Sequence, residues 1–304
     1  MPCNSPDGNL VHGTAGDKAS YRTMDKARRD RTWAIAGGAA LGLAALALFA
    51  AEKKWPRRKP EQPGPARGIT NLALGAMSMA TVALIETPLT TTLADRAERK
   101  KAGLVQTLPL PAWARDAAAV LLMDYTIYLW HVASHKLPLL WRFHLVHHVD
   151  LDLDTTTALR FHAADMALSA PYRAAQVALI GVSPRALRIW QGWFFASILF
   201  HHSNLALPKR VERILARVVT TPGMHAIHHS VKKDETDANW SSGFSFWDRL
   251  HHTFRLDVPQ TEITIGVPAY RHARETQIAA SLAMPFTHAL DAWSWPDRKP
   301  SAKP

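Results

Sequence analysis

The residues of this chain most able to do chemistry are histidines, which occur in three clusters. His131 and His135 are four residues apart, and the pattern H-x-x-H-H occurs twice, at 144–148 and at 225–229. On a helix, spacings of three and four residues place side chains on one face. Neutral imidazole is a ligand that suits iron, zinc and copper. Eight such rings exceed what one ion needs, so the clusters predict two metal ions.

Composition narrows the class of protein around these clusters. Thirteen of the 16 histidines lie between His131 and His252, and the only cysteine is Cys3. One cysteine excludes a disulfide scaffold, a cysteine-ligated zinc site and an intrinsic iron–sulfur cluster. The net charge of +11 suits a membrane protein facing anionic lipid. Nucleic acid is the competing partner for such charge, but no binding motif supports it, and we predict no nucleic-acid partner.

Several common chemistries lack their motif. Val132 stands where a zinc protease needs glutamate, and neither G-x-S-x-G nor a G-x-G-x-x-G after a strand-like run is present. A two-metal, all-histidine centre next to hydrophobic segments is suited to activating dioxygen and oxidising a C–H bond of a lipid. Two alternatives stay open, a non-redox di-zinc membrane hydrolase and a metal-binding membrane protein without catalysis.

The elements that position the histidines are hydrophobic helices. Residues 33–51 are uncharged and long enough to cross the hydrocarbon core, residues 69–85 begin a second apolar stretch that runs to Ala94, and a third runs from Trp113 to His135. Between them lie a basic, proline-rich loop at 53–68 and a charged break at 95–101. Residues 166–184 and 186–200 are apolar but interrupted, and we predict a hairpin of half-spanning helices there.

The predicted architecture is therefore an all-α integral membrane protein. It has three to four spanning helices plus a helical hairpin, and it carries a histidine-rich cap. The basic 53–68 loop predicts by the positive-inside rule that this cap faces the cytoplasm, although residues 22–31 and 95–101 are basic too. We divide the chain into a polar, basic, flexible leader (1–31), N-terminal membrane helices (32–94), a histidine-box catalytic domain (95–256) and a peripheral tail (257–304).

Five segments resemble the fatty acid hydroxylase / sterol desaturase superfamily of integral-membrane di-iron oxygenases. The run DYTIYLWHVASHKLPLLWRFHLVHHVD (124–150) is similar to its first two histidine boxes, and TPGMHAIHHS with ETDANW (221–240) to its third. TTALRFHAAD (156–165), HHSNLALP (201–208) and FWDRLHHTFR (246–255) resemble three further motifs of that family. The resemblance covers about residues 70–256.

The resemblance implies a fold, a reaction and a set of ligands. It implies a membrane-bound enzyme that uses two iron ions, dioxygen and external electrons to hydroxylate or desaturate a sterol-like or fatty acyl/alkyl lipid. Because metal availability partly sets which ion is bound, zinc can take the place of iron in the purified protein. Since the chain has no flavin, haem or iron–sulfur motif, a ferredoxin- or cytochrome-type reductase chain is the expected partner. The implied metal ligands are His131, His135, His144, His147, His148, His225, His228 and His229, with His202 and His201 where some members supply a further ligand.

Some positions depart from the family pattern. Ser197 stands where some members have another histidine, Ala163 and Asp165 replace Pro and Glu, and His251 and His252 replace Phe and Gly. We interpret the last two as surface residues. Supporting roles around the metals are predicted for Asp124, Arg160, His162, Asp165, Asp237 and Asn239. Asp124 lies two helical turns before His131, where a carboxylate can accept the free N–H of a ligating imidazole.

Overall fold

A computed structural model of the chain describes residues 15–287 and 290–295, and in them the fold is all-α. The backbone there forms helices and isolated β-bridges, without a β-strand. The α-helices are α1 (Ala15–Lys54), α2 (Pro65–Thr81), α3 (Thr87–Lys100), α4 (Leu104–Thr107), α5 (Ala112–Lys136), α6 (Pro138–His148), α7 (Ala163–Ile180), α8 (Pro184–His202), α9 (Lys209–Leu215), α10 (Pro222–His228), α11 (Lys233–Thr236), α12 (Phe246–Leu250) and α13 (Ile278–Ala283). A π-helical segment, Val82–Glu86, joins α2 to α3.

Three helical stretches are long and apolar enough to cross a membrane. They are Ala36–Lys54, Pro65–Thr107 and Ala112–Lys136. The three spans predicted from hydropathy are confirmed, and the chain is an all-α integral membrane protein. The basic, proline-rich loop falls between Lys54 and Pro65, as predicted.

The chain divides into two compact units, Met1–Ala44 and Ala45–Pro304. Of the predicted leader, residues 1–14 lie outside the described residues, and the backbone is helical from Ala15. Of the predicted tail, residues 288–289 and 296–304 lie outside them.

Two predicted helix boundaries are wrong. The charged break at 95–101 is helical, because α3 continues to Lys100 and ends with Lys101 in the left-handed conformation (φ 48°). Charged residues with long side chains are good helix formers, so charge alone does not end a helix. Pro184 was expected to interrupt the apolar segments at 166–184 and 186–200, but it is the first residue of α8. Proline is tolerated there because the backbone N–H that it lacks would have no partner within the helix.

The helices of the predicted hairpin are longer than half-spanning helices. Gly181, with φ 80°, ends α7 in the left-handed conformation, and Ser183 caps α8 by accepting a hydrogen bond from the backbone N–H of Ala186. The two helices have 18 and 19 residues, which at 1.5 Å per residue is about 27 to 29 Å each. α8 therefore extends beyond residue 200, where the second apolar segment ends, and carries His201 and His202 in its last turn.

Helix α5 is the element around which the histidine region is built. It packs against α6, α7 and α8, and a buried apolar cluster that includes Met123, Val177 and Leu187 joins it to α7 and α8. The residues after α12 also pack inward, because Val267 and Tyr270 share a buried cluster with Leu145 and Val146 of α6. Helix α6, which carries the second histidine box, is therefore packed both against α5 and against the residues that follow α12.

Candidate metal centre

Four helices end at the same place and carry the clustered histidines in or beside their last turns. These are α5 with the 131/135 pair, α6 with 144–148, α8 with 201–202 and α10 with 225–229, where His229 follows the last helical residue. The C-terminal end of a helix carries partial negative charge and favours cations. The local i, i+3 and i+4 spacings therefore converge on one buried volume where positive charge is favoured.

The ring nitrogens form two groups of four. In each group, one nitrogen from every ring lies within 4.8 Å of the other three. The first histidine group comprises His131, His135, His148 and His228, and the second comprises His147, His202, His225 and His229. All eight are buried except His135, which is partly buried.

Short distances separate the ring nitrogens of the second group. The Nε2 atom of His202 lies 3.0 Å from that of His147 and 2.9 Å from that of His225, and the Nε2 atoms of His225 and His229 are 3.1 Å apart. Nitrogens bound at about 2.1 Å to one ion lie about 3.0 Å apart when their bonds meet at right angles. The group therefore has the dimensions of a set of ligands to a single ion.

Backbone carbonyl groups set the tautomer of four of these rings. A carbonyl oxygen only accepts, so each ring nitrogen facing one carries the proton. The Nδ1–H of His131 donates to the carbonyl of Trp240 (2.7 Å), that of His228 to Ala238 (2.9 Å), that of His202 to Ile198 (2.7 Å) and that of His147 to Arg160 (3.3 Å). In these neutral rings each Nε2 atom is therefore unprotonated and carries a free lone pair.

Lone pairs facing one another repel unless a cation lies between them. His147 and His202 present such a pair at 3.0 Å, and the buried Nε2 atoms of His135, His148 and His228 have no hydrogen-bond partner within the described residues. A buried polar atom without a partner is costly. The residues present thus fit two metal ions, one in each histidine group.

Burial keeps these rings neutral. It lowers the pKa of His228 to about 3 in spite of the hydrogen bond to Ala238. It also lowers the pKa of His225 and of His229 well below the usual value, and positive charge on the neighbouring rings lowers it further. Because a ligating histidine must be unprotonated, the site is ready to bind a metal at neutral pH.

Two of the ten predicted ligands fall outside both groups. His144 lies between the groups, with its ring centroid 5.3 Å from those of His131 and His147, and its Nδ1 is 3.5 Å from Asp165 Oδ2. The ring of His201 lies 4.1 Å from that of His225, and its buried Nδ1 has no partner in the described part of the chain. Both rings line the cavity described below.

The six predicted supporting residues divide by what they contact. Arg160 contributes its carbonyl to His147, Asp165 contacts His144, and Asn239 donates to the carbonyl of Met224, next to His225. The other three have different partners. His162 caps α7, and Asp237 pairs with Lys136 and Lys233.

Asp124 is the one whose predicted contact is wrong. It accepts from the backbone N–H of Phe244 and from the indole N–H groups of Trp193 and Trp247, not from a histidine. Seven residues along α5 are about 10.5 Å, too far for its carboxylate to reach the ring of His131. Asp124 instead fastens the 244–247 segment to α5.

Sequence reasoning missed Asp248. This fully buried carboxylate accepts hydrogen bonds from the backbone N–H groups of Trp240 and Ser241 and from the hydroxyl of Thr253. It thereby fixes the loop whose carbonyls orient His131 and His228. Asp248 stands in the FWDRLHHTFR segment, so the motif was visible, but only the fold brings that segment to the loop.

A cavity of about 410 Å³ opens onto both histidine groups. Rings of both groups, His131 and His202 among them, line one end, and Phe161, Trp190, Phe194 and Ile198 form much of its wall. This size and an apolar wall with a few polar groups are typical of small-molecule sites. His251 and His252 are exposed and are not among its lining residues; they lie on a turn where the ring of His251 stacks on that of Tyr128.

Residues 117–253 match the family model described as Fatty acid hydroxylase. This region contains all ten predicted ligands, so the resemblance carried by the histidine boxes is confirmed for it.

Similar proteins are named as a lipid hydroxylase, a hydroxylase-like protein and a monooxygenase. The chain is 28% identical over 169 residues to ornithine lipid hydroxylase of Rhizobium tropici, covering 55% of this chain and 49% of that protein. It is 30% identical over 147 residues to a cholesterol 25-hydroxylase-like protein of Danio rerio, covering 46% and 55%. It is 23% identical over 145 residues to alkylglycerol monooxygenase of Homo sapiens, covering 46% and 30%. The chain thus spans about half, or less, of the length of these relatives, and no solved structure matches it.

Proposed function

We propose that this chain, whose histidine-box region matches the fatty acid hydroxylase family, is a membrane lipid hydroxylase that holds two iron ions. The observation that carries the proposal is that two groups of four histidine nitrogens lie at one end of an apolar cavity. A metal-handling protein has no need of an apolar cavity that ends at its ligands. The relatives' names support a lipid as the substrate.

The two histidine groups would hold the ions. His131, His135, His148 and His228 would bind one, and His147, His202, His225 and His229 the other. Imidazole suits iron as well as zinc, so the choice of iron rests on the family. Iron bound there supplies oxidation of a C–H bond by dioxygen, with electrons from a separate ferredoxin- or cytochrome-type partner.

The chain's own residues prepare the site for this reaction. Carbonyl groups of Trp240, Ala238, Ile198 and Arg160 hold ring protons on Nδ1 and so turn the Nε2 atoms toward the ions. The aromatic and aliphatic wall of the cavity excludes water and aligns the hydrocarbon body of the lipid. His144, held by Asp165, faces the same cavity beside both groups.

The cytoplasm is the compartment we propose for the histidine end. The last turn of α1 carries Lys53 and Lys54, and the loop after it carries Arg57 and Arg58. This loop lies beside the end of α8, where the backbone N–H of Arg57 donates to the carbonyl of Asn204. Loops with an excess of Lys and Arg face the cytoplasm. A cytoplasmic electron-transfer partner then has access to the histidine end.

Lipid profiling with and without dioxygen tests the proposal. Cells producing the wild-type chain are compared with cells producing His147→Ala/His228→Ala, which removes one ligand from each group. Wild-type cells should accumulate lipid species heavier by one oxygen atom, only in air, and the double variant should not. His252→Asn, an exposed histidine in the left-handed conformation that asparagine tolerates, should behave as wild type. Product formed without dioxygen, or equal profiles in wild type and double variant, would refute the proposal.

A further inference from the structure

Charged and polar side chains line the cavity far from the histidines. Glu86 ends the π-helical segment, and Arg173 lies in the middle of α7; both border the cavity and both are buried. Ionisable groups at membrane depth are expensive and usually functional, and π-helical turns are frequent at functional sites. Neither residue has a part in holding the metals.

Arg173 is incompletely satisfied by its neighbours. Its Nη1 donates to Gln176 Oε1 at 2.5 Å, and its guanidinium lies 4.5 Å from the centre of the Trp190 ring. Its Nε, however, is 3.5 Å from Glu86 Oε1 and has no hydrogen-bond partner among the described residues. The pair is therefore a loose ion pair with a donor to spare.

A second unused donor lies beside the first. The indole Nε1–H of Trp190 is buried and likewise has no partner in the described part of the chain. A buried pair kept only for structure is stabilised by close, bidentate contacts that repay its desolvation. Here two buried donors without partners and one carboxylate belong to residues that line the same cavity, and a ligand group that satisfies them would complete a binding subsite.

The charges around this subsite determine which functional group of a ligand can bind there. Arg173 and Glu86 carry opposite charges, so the subsite is neutral overall. A hydroxyl group both accepts, from Arg173 or Trp190, and donates, to Glu86. A carboxylate would be repelled by Glu86, and an ether oxygen would leave Glu86 without a donor.

The separation along the helices sets the length of the ligand. Asp165, which contacts His144, is eight residues before Arg173 on α7, or about 12 Å. Trp190 is twelve residues before His202 on α8, or about 18 Å. We propose that Arg173, Glu86 and Trp190 bind the hydroxyl group of a neutral lipid alcohol whose oxidised carbon lies some 12 to 18 Å away at the histidine end. This inference rests on the proposed function and narrows its substrate class.

Equilibrium binding of matched probes tests the inference without turnover. The purified full chain is titrated with two tritiated alcohols, hexadecan-1-ol and cholesterol, and with their methyl ethers and hexadecanoic acid. The wild-type chain should bind at least one alcohol about tenfold more tightly than its ether, the loss expected for one hydrogen bond to a charged group. Hexadecanoate should bind no more tightly than the ether.

Variants show whether the subsite causes the preference. Arg173→Met/Glu86→Leu removes both charges together, so no unpaired charge remains to unfold the chain, and the preference for the alcohol should vanish. Trp190→Phe should reduce it in part. Arg185→Met, at a side chain that is 67% exposed, is the matched control and should keep it.

The outcomes separate this inference from the proposed function. Equal binding of alcohol and ether by the wild-type chain, a preference that survives in the double variant, or no binding of any probe overturns the subsite. Metal content is measured on the same samples. Two ions per chain with no preference for alcohols leaves the proposed function standing, and absence of metal refutes that function whatever the probes do.

Discussion

Single histidine substitutions should remove one metal ion at a time. His228→Ala takes a ligand from the first histidine group only, and His225→Ala takes one from the second only. His144→Ala touches neither group, although the family pattern includes it among the ligands. We therefore expect about one ion per chain in each of the first two variants and two in the third.

The size of the effect follows from the number of ligands. Four-ligand zinc sites in small proteins bind with about 10 to 16 kcal/mol, or about 2.5 to 4 kcal/mol for each ligand. At 1.4 kcal/mol for each factor of ten, loss of one ligand weakens binding roughly 10²- to 10³-fold. A chelator whose affinity lies between those of intact and damaged sites will strip the damaged site alone.

The assay is elemental analysis of purified protein after dialysis against such a chelator. Thermal unfolding of each variant shows that the chain remains folded, and His252→Asn controls for the loss of a histidine outside the site. If His144→Ala loses an ion as readily as His228→Ala, the division into two groups is wrong. If either group variant loses both ions, the groups are not independent.

Two further predictions concern residues outside the ligand set. Asp248→Asn should weaken metal binding about 10- to 100-fold at the first histidine group alone, because Asp248 fixes the loop whose Trp240 carbonyl orients His131; chelator titration measures it. Burial raises the pKa of Asp154, but the charge and hydrogen bonds of Arg67 outweigh burial and hold this pKa below its usual value of 3.8. Asp154→Asn should therefore cost about 2 kcal/mol of unfolding free energy at pH 7, and this difference should shrink as pH falls below about 4, since the stability given by a depressed carboxyl pKa is lost on protonation.

Controls for these two predictions come from the same chain. Asp116→Asn removes a partly buried carboxylate that accepts from Ser183, at the opposite end of α5 from His135, and should leave metal binding unchanged. Equal weakening at both groups in Asp248→Asn would contradict the orienting role of the loop. A constant difference in stability between wild type and Asp154→Asn from pH 7 to pH 3 would contradict the pairing with Arg67.

The sequence by itself determined the membrane helices and the histidine clusters. Spans of apolar residues are set by local hydropathy and the thickness of the bilayer, so the three membrane helices could be predicted from composition alone. Spacings of three and four residues are equally local, so the one-sided clusters on α5, α6 and α10 follow from helix geometry. Boundaries failed where local chemistry permits two outcomes, as for the charged residues of α3 and for Pro184.

The tertiary structure decided which residues meet. Adjacent rings of one box, His147 and His148, belong to different groups, because neighbouring side chains on a helix point about 100° apart toward different partner helices. The seven-residue spacing puts Asp124 on the same face of α5 as His131, yet Asp124 contacts the indoles of Trp193 and Trp247. Asp248 reaches Trp240, and Arg173 reaches Glu86, only because distant segments pack together. Periodicity fixes where a side chain lies on its own helix, whereas long-range packing alone fixes what lies opposite.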